Sequence, residues 1–253
     1  MITCGIDGGS RTVKVALVDD GRVLATAMRD QGIHQHRIAE ELLRRACAQA
    51  GIAPDAIAGT VATGYARAVI RNADRAVTEI TCHARGVAHL LPQARSIIEI
   101  GGQDSKVIRL EAEGAVADFA MNDRCAAGTG RFLEMVAVQL ETDMDRFAGL
   151  CDAAATPADI SSMCVVFAES EIIGLLAAGR EPSDILVGVE HAIADRIAAM
   201  AGRLLADPVA FTGGVALVPG MRTALAQRLG REVATCPHAA YTGAIGAALL
   251  AAA

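Results

Sequence analysis

The chain has 253 residues, a formal net charge of −6, 53% hydrophobic and 21% charged residues. That is enough apolar material for one large or two small packed domains, and it excludes a disordered or collagenous chain. Charges interrupt every apolar stretch before the ~18 residues of a membrane span, and Met1-Ile2-Thr3-Cys4-Gly5-Ile6-Asp7 meets an acid at once, without a secretory pattern. A cytoplasmic protein with no membrane partner is expected. With no Lys/Arg run, no Trp, 2 Tyr and 5 Phe, a nucleic-acid-binding surface is not expected either. Seven cysteines, an odd number, point to reduced thiols rather than a disulfide framework.

In chain order, residues 2–6 read as a strand, Asp7-Gly8-Gly9-Ser10 as a turn, and 13–18 as a β-branched second strand; Asp19-Asp20-Gly21 then leads into a third at 23–26. This glycine turn joins strand to strand, whereas Walker A and Rossmann loops feed a helix. An amphipathic helix is predicted over 36–50, with Glu40/Arg44 and Glu41/Arg45 pairs on its outer face. A strand at 57–63 and a helix at 79–91 follow. The opening pattern then returns: strand 96–100, turn Gly101-Gly102-Gln103-Asp104-Ser105, strand 106–110, turn Ala112-Glu113-Gly114. Gly8 and Gly101 are 93 residues apart, as are Gly21 and Gly114, which reads as an internal duplication. Helices are predicted over 130–140, 165–178, 185–205 and 220–229, a strand at 209–212 before Gly213-Gly214, and a closing small-residue helix at 241–247.

Hairpin turns without bulky side chains suit a polyphosphate held between two half-domains. Gly8, Gly9, Ser10, Arg11, Thr12 and Lys14 offer donors on one side; Gly101, Gly102 and Ser105 do so on the other. Asp104 and Asp7 are candidates for the water shell of a magnesium ion, Gln103 for orienting an attacking water, and Gly213-Gly214 for a surface on which adenine lies. These three motifs, in this order, resemble those of the superfamily of sugar kinases, actin and heat-shock ATPases. The resemblance implies an α/β fold of two ribonuclease-H-like domains clamping ATP.

Cys125 and Cys164 each precede a predicted helix, where the helix N-terminus favours the thiolate a metal requires. No CxxC occurs, so two cysteines per chain become four only across a twofold axis. The strings Glu99-Ile100-Gly101-Gly102-Gln103-Asp104-Ser105-Lys106, Asn122-Asp123-Arg124-Cys125-Ala126-Ala127-Gly128-Thr129-Gly130-Arg131-Phe132-Leu133 and Phe167-Ala168-Glu169-Ser170-Glu171 closely resemble the ATP-dependent activators of 2-hydroxyacyl-CoA dehydratases and the related ATPase subunits of benzoyl-CoA reductases. The resemblance implies one 4Fe-4S cluster bridged by Cys125 and Cys164 of two subunits, either a homodimer or a pseudo-symmetric pair with a homologous subunit. It implies ATP and Mg2+ as further cofactors, a ferredoxin or flavodoxin as electron donor, and an acyl-CoA dehydratase or reductase as acceptor. Asn122, Arg124 and Gly128 would shape the cluster loop.

The expected division is residues 1–93 plus the C-terminal helix 240–253 as one ribonuclease-H-like domain, and 94–239 as the second, carrying the cluster cysteines. Cys4 reads as core, Cys47 as a position on the amphipathic helix, Cys151 and Cys236 as near loops, and His34/His36 as a solvated loop; Cys82, in Glu79-Ile80-Thr81-Cys82-His83-Ala84, another stretch resembling the family, reads as packing, with a cluster role as the alternative. A small-molecule kinase of the same superfamily and a non-catalytic nucleotide sensor are the alternatives; both leave Cys125 and Cys164 without a role.

Overall fold

A computed structural model describes the chain except Arg124, Met163 and Ala253. The first sheet comprises β1 (Ile2–Gly8), β2 (Thr12–Asp19), β3 (Arg22–Asp30), β4 (Gly59–Thr63) and β5 (Arg75–Ala76), in the order β3-β2-β1-β4-β5. The second comprises β6 (Ser96–Ile100), β7 (Ser105–Leu110), β8 (Val116–Asn122), β9 (Val209–Thr212) and β10 (Val233–Thr235), in the order β10-β9-β6-β7-β8. In each, an antiparallel three-strand meander continues through its first strand into parallel neighbours. This is the ribonuclease-H-like topology, present twice. Helices α1 (Gln35–Ala50) and α2 (Glu79–Leu90) follow the first meander. Helices α3 (Gly130–Gln139), α4 (Phe147–Ala153), α5 (Val165–Ala177), α6 (Pro182–Ala201) and α7 (Met221–Leu229) serve the second sheet, and α8 (Thr242–Ala251) closes the chain.

The duplication is visible in backbone conformation. Asp20-Gly21 and Glu113-Gly114 are left-handed pairs, with φ of 46°, 83°, 65° and 80°. Strand register nevertheless sets the repeat at 92 residues rather than 93. Asp7 opposes Lys14 as Glu99 opposes Lys106, and the bulges at Leu17/Val18 and Arg109/Leu110 also stand 92 apart. Gly101 therefore corresponds to Gly9, and the extra residue enters at the second turn.

Helix α8 returns the chain to the first sheet. A methyl group on Gly5 would lie 1.8 Å from the Ala244 carbonyl oxygen, and one on Gly246 would lie 1.8 Å from that of Cys82. Helix α8 is thus pressed between β1 and α2 with backbones in contact, which is why its sequence is so small. Apolar burial does the rest: Ile6, Val15, Leu17 and Leu42 under α1, and Ile98, Ile100, Phe132, Ile185, Ile193 and Phe211 in the larger second core.

Several sequence expectations shift. The helix expected at 185–205 runs Pro182–Ala201, begun by Pro182 in its first turn and stopped at Gly202, φ 48°. Ile57 belongs to the close of a 3-10 turn over Pro54–Ala56, so its strand starts at Gly59. On α1, Glu41 pairs with Arg29 of β3 at 2.5 Å and Glu40 with His36 at 3.4 Å, in place of Arg45 and Arg44. His36 accordingly lies in the first helical turn, while His34 is its exposed N-cap. Cys151 lies within α4. Substitution Gly246→Ala is expected to cost about 2–3 kcal/mol as α8 is forced off α2; urea unfolding measures it, and an unchanged midpoint would show that the helices separate freely.

Candidate nucleotide and cysteine sites

The two glycine hairpins face one another across a cavity of about 260 Å³. Asp7, Gly9, Ser10, Thr12 and Lys14 line it from the first hairpin, Gly101, Gly102 and Asp104 from the second, and Gly213-Gly214 from the end of β9. Gly8 lies just behind, its carbonyl accepting from Ala66 N–H at 2.8 Å. Ser105 is buried next to Asp104, and its hydroxyl has no hydrogen-bond partner among the described residues. Gln103 is exposed and is not among the lining residues. Leu133, Met144, Val215, Leu217 and Val218 make the apolar end next to Gly214, a surface suited to a flat heteroaromatic ring.

Sequence reasoning missed the charged floor. Lys106 is 1% exposed, and its Nζ lies 2.9 Å from Glu99, 2.5 Å from Asp104 and 2.9 Å from Glu79. Burial acts to lower its pKa, but Glu99, Glu79 and Asp104 outweigh that and hold the ammonium charged. Burial in turn raises the Glu79 and Glu99 carboxyls, with Lys106 pulling against it. Across the first hairpin Lys14 stands 3.6 Å from Asp7. Of the four carboxyl groups, Glu79, Glu99 and Asp104 are engaged by Lys106 and Asp7 faces Lys14, so the cavity floor carries more acid than base.

One turn beyond Glu79 on α2, His83 also lines the cavity. Its Nδ1 lies 2.9 Å from the Thr242 hydroxyl, which lies 2.5 Å from that of Thr212 at the end of β9. Burial first, then Lys106, depress the imidazole pKa to about 4, so it is neutral at pH 7. Residues Glu79 and His83 were present in sequence as an i, i+4 pair, but only the packing of α2 shows which face they share.

Among the seven cysteines, Cys125 and Cys164 are exposed, Cys151 is intermediate, and Cys4, Cys47, Cys82 and Cys236 are buried. Burial pushes Cys4, Cys82, Cys151 and Cys236 up to about 12. Cys125 immediately precedes the 3-10 turn Ala126–Gly128 that leads into α3, and Cys164 is the N-cap of α5. Asn122 brackets Cys125, accepting from its N–H at 3.0 Å and donating to its carbonyl at 2.7 Å; Gly128 lies inside the same turn, and Arg124 is outside the described residues. The segment before Cys164 is held by Glu171, which accepts from the backbones of Ser161 and Ser162 at 2.9 Å and from the Ser161 hydroxyl at 2.7 Å. Burial would raise the Glu171 pKa, but the hydrogen bonds from Ser162 and Ser161 win and lower it to about 2. Val166 and Phe167, in the first turn of α5 after Cys164, are exposed, as are Phe119 and Met121 on β8, the strand that precedes Cys125. Among the described residues, no three His, Cys, Asp or Glu side chains of one chain converge to hold a metal ion.

Two ribonuclease-H-like sheets closing glycine hairpins over an acidic, lysine-bearing cavity define a protein of the two-domain ATPase class. Residues 4–251 match the BadF/BadG/BcrA/BcrD ATPase family, and the chain belongs to it. It is 44% identical to the activator of lactoyl-CoA dehydratase of Anaerotignum propionicum, over 99% of this chain and 97% of that one. The crystal structure of (R)-2-hydroxyglutaryl-CoA dehydratase component A of Acidaminococcus fermentans superposes with a TM-score of 0.94 at 39% identity, covering 99% and 97% of the two chains. The activator of 2-hydroxyisocaproyl-CoA dehydratase of Clostridium difficile, with bound ADPNP, superposes with a TM-score of 0.94 at 36% identity, covering 99% and 94%.

Removing the ammonium strands buried carboxylates, so Lys106→Met is expected to lower stability by about 3–5 kcal/mol, read by urea unfolding. His83 binds its proton less readily folded than unfolded. Stability should therefore fall as pH drops from about 6.5 to about 4, by roughly 3 kcal/mol. His83→Gln should flatten that part of the pH profile; an unaltered slope would assign it to other groups.

Proposed function

We propose that this chain is an ATP-hydrolysing electron activator of a 2-hydroxyacyl-CoA dehydratase. The observation that carries the reading is the cysteine pattern: Cys125 and Cys164 are the exposed thiols of the seven, each at the start of a helical segment, while the family and its named relatives supply the ATPase and the dehydratase. In this reading two halves, residues 1–93 with 240–253 and residues 94–239, clamp the nucleotide. The phosphates lie on Gly8, Gly9, Ser10, Thr12, Lys14, Gly101, Gly102 and Ser105, and adenosine on Gly213-Gly214. Asp7 and Asp104 hold the water shell of Mg2+, and Gln103, at the rim of the second hairpin, orients the attacking water as the halves close. Cys125 and Cys164 of two copies supply the four thiolates of one 4Fe-4S cluster, which when bound provides a low-potential electron. Asn122 and Glu171 fix the backbones that present those thiols, and exposed Val166, Phe167, Phe119 and Met121 offer apolar surface for the second copy or the acceptor. A ferredoxin or flavodoxin recharges the pair, and the whole operates in the cytoplasm.

The naming of the close relatives favours a dehydratase over a reductase as acceptor. The deciding experiment is iron, acid-labile sulfide and solution mass on anaerobically purified protein. Two irons and two sulfides per chain in a dimer are expected; an iron-free protein after reconstitution would move the kinase or sensor reading to the front. Cys125→Ala and Cys164→Ala should each abolish the brown colour while leaving ATP binding within about two-fold, and normal iron in either variant overturns the ligand assignment. Asp104→Ala should keep the colour and lose at least about tenfold in ATP turnover, the scale of an interaction worth 1.4 kcal/mol in a transition state.

A further inference from the structure

Three contacts tie the glycine hairpins to helix α3, which follows Cys125. Within the second half, the Gly101 carbonyl accepts from Gly130 N–H and the Gly102 carbonyl from Arg131 N–H, both at 2.9 Å. The first turn of α3 is thus bonded to the hairpin itself. Across the cavity, the Arg11 side chain of the first hairpin lies flat on Gly102, where a methyl group would fall 2.1 Å from its Cγ. The Arg11 Nε donates to Glu134 of α3 at 2.8 Å. Both Arg11 and Glu134 line the cavity, with side chains 42% and 25% exposed.

A pair this exposed is weakly held, whereas a terminal phosphate carries more charge and matches the guanidinium fork. Glu134 also accepts from Arg131 at 2.9 Å, so it keeps a partner when Arg11 leaves. We propose that Arg11 is a positioning residue that exchanges Glu134 for the terminal phosphate of ATP, releasing α3 and the Cys125 turn from the first half of the molecule. The exchange rests on the ATP-binding reading above and adds to it the side chain that reports whether the terminal phosphate is present. It breaks and forms only ion pairs, and no covalent bond changes. ADP lacks the group that competes with Glu134, so the contact distinguishes the two nucleotides.

The test is a cycle of Glu134→Gln, Arg11→Gln and the double variant, with dissociation constants for ATP and ADP measured by calorimetry. Glu134→Gln is expected to tighten ATP binding about two- to five-fold, the range of an exposed ion pair, to leave ADP unchanged, and to have no effect once Arg11 is Gln. On iron-free protein, ATP with Mg2+ should change the rate at which iodoacetamide alkylates Cys125, read by mass spectrometry. Glu134→Gln should show the ATP-type rate without nucleotide. Equal tightening for ADP, or in both Arg11 backgrounds, would mean that Glu134 acts by charge alone and would overturn the exchange, as would unchanged ATP affinity. An alkylation rate indifferent to ATP in wild type overturns the link to the cysteine turn. Failure of the wild-type chain to bind ATP defeats the nucleotide reading together with the exchange; wild-type binding with a null cycle defeats the exchange alone.

Discussion

The buried ammonium of Lys106 sets the electrostatic terms of the cavity. Taking an ion this far from water costs several kcal/mol, and only close carboxylates return it. Those carboxylates come from three places: Glu99 opposite it on β6, Asp104 in the adjoining turn, and Glu79 on α2. The last contact ties β7 to α2, whose buried Ala84 and Val87 share a core with Ile97, Ile108 and Leu110 of the second sheet while another side of the helix packs on α8. Helix α8 in turn packs on β1, β2 and β4, so the charge is joined to the first sheet through α2 and α8.

Duplication explains why the cavity is built this way. Each hairpin carries an acid directly opposite a lysine, Asp7 with Lys14 and Glu99 with Lys106. The two copies have diverged in burial. Lys14, its side chain 15% exposed, lines the cavity 3.6 Å from its acid, while Lys106 is enclosed by carboxylates. One ancestral arrangement thus serves twice, once facing the ligand and once holding the frame.

Much of this was legible in the sequence. The first meander and the first two strands of the second announced themselves through β-branched runs broken by glycine turns, and the three glycine motifs lie around one cavity. What escaped has a physical reason. Lys106-Val107-Ile108-Arg109-Leu110 alternates in a way that cannot tell a buried Lys106 from an exposed Arg109, because the difference lies in what α2 brings over one face. Strand β8 is an edge strand with much of its length exposed, so it lacks the apolar signal that marked β6, and β10 is three residues long. Cys4, Cys47 and Cys82 are buried, as their apolar surroundings in the sequence suggest, whereas the exposure of Cys125 and Cys164 is a product of the fold that a flanking helix start does not reveal. Gln103 was placed by motif; it projects to the rim, a consequence of turn geometry that composition does not carry.

The close packing of α8 bears on how the chain is made. The first sheet to be synthesised is the last to be finished, because one face of β1 at Gly5 and the inner side of α2 at Cys82 and Gly86 wait for residues 242–251 to leave the ribosome. The second half has all of its strands and helices in hand by Thr235, some contacts earlier in time though later in sequence. Contacts spanning nearly the full length of the chain form slowly, so the nascent first half passes through synthesis with an uncovered small-residue groove and a partly open sheet, the stage at which such a protein is most exposed to aggregation and to chaperone capture.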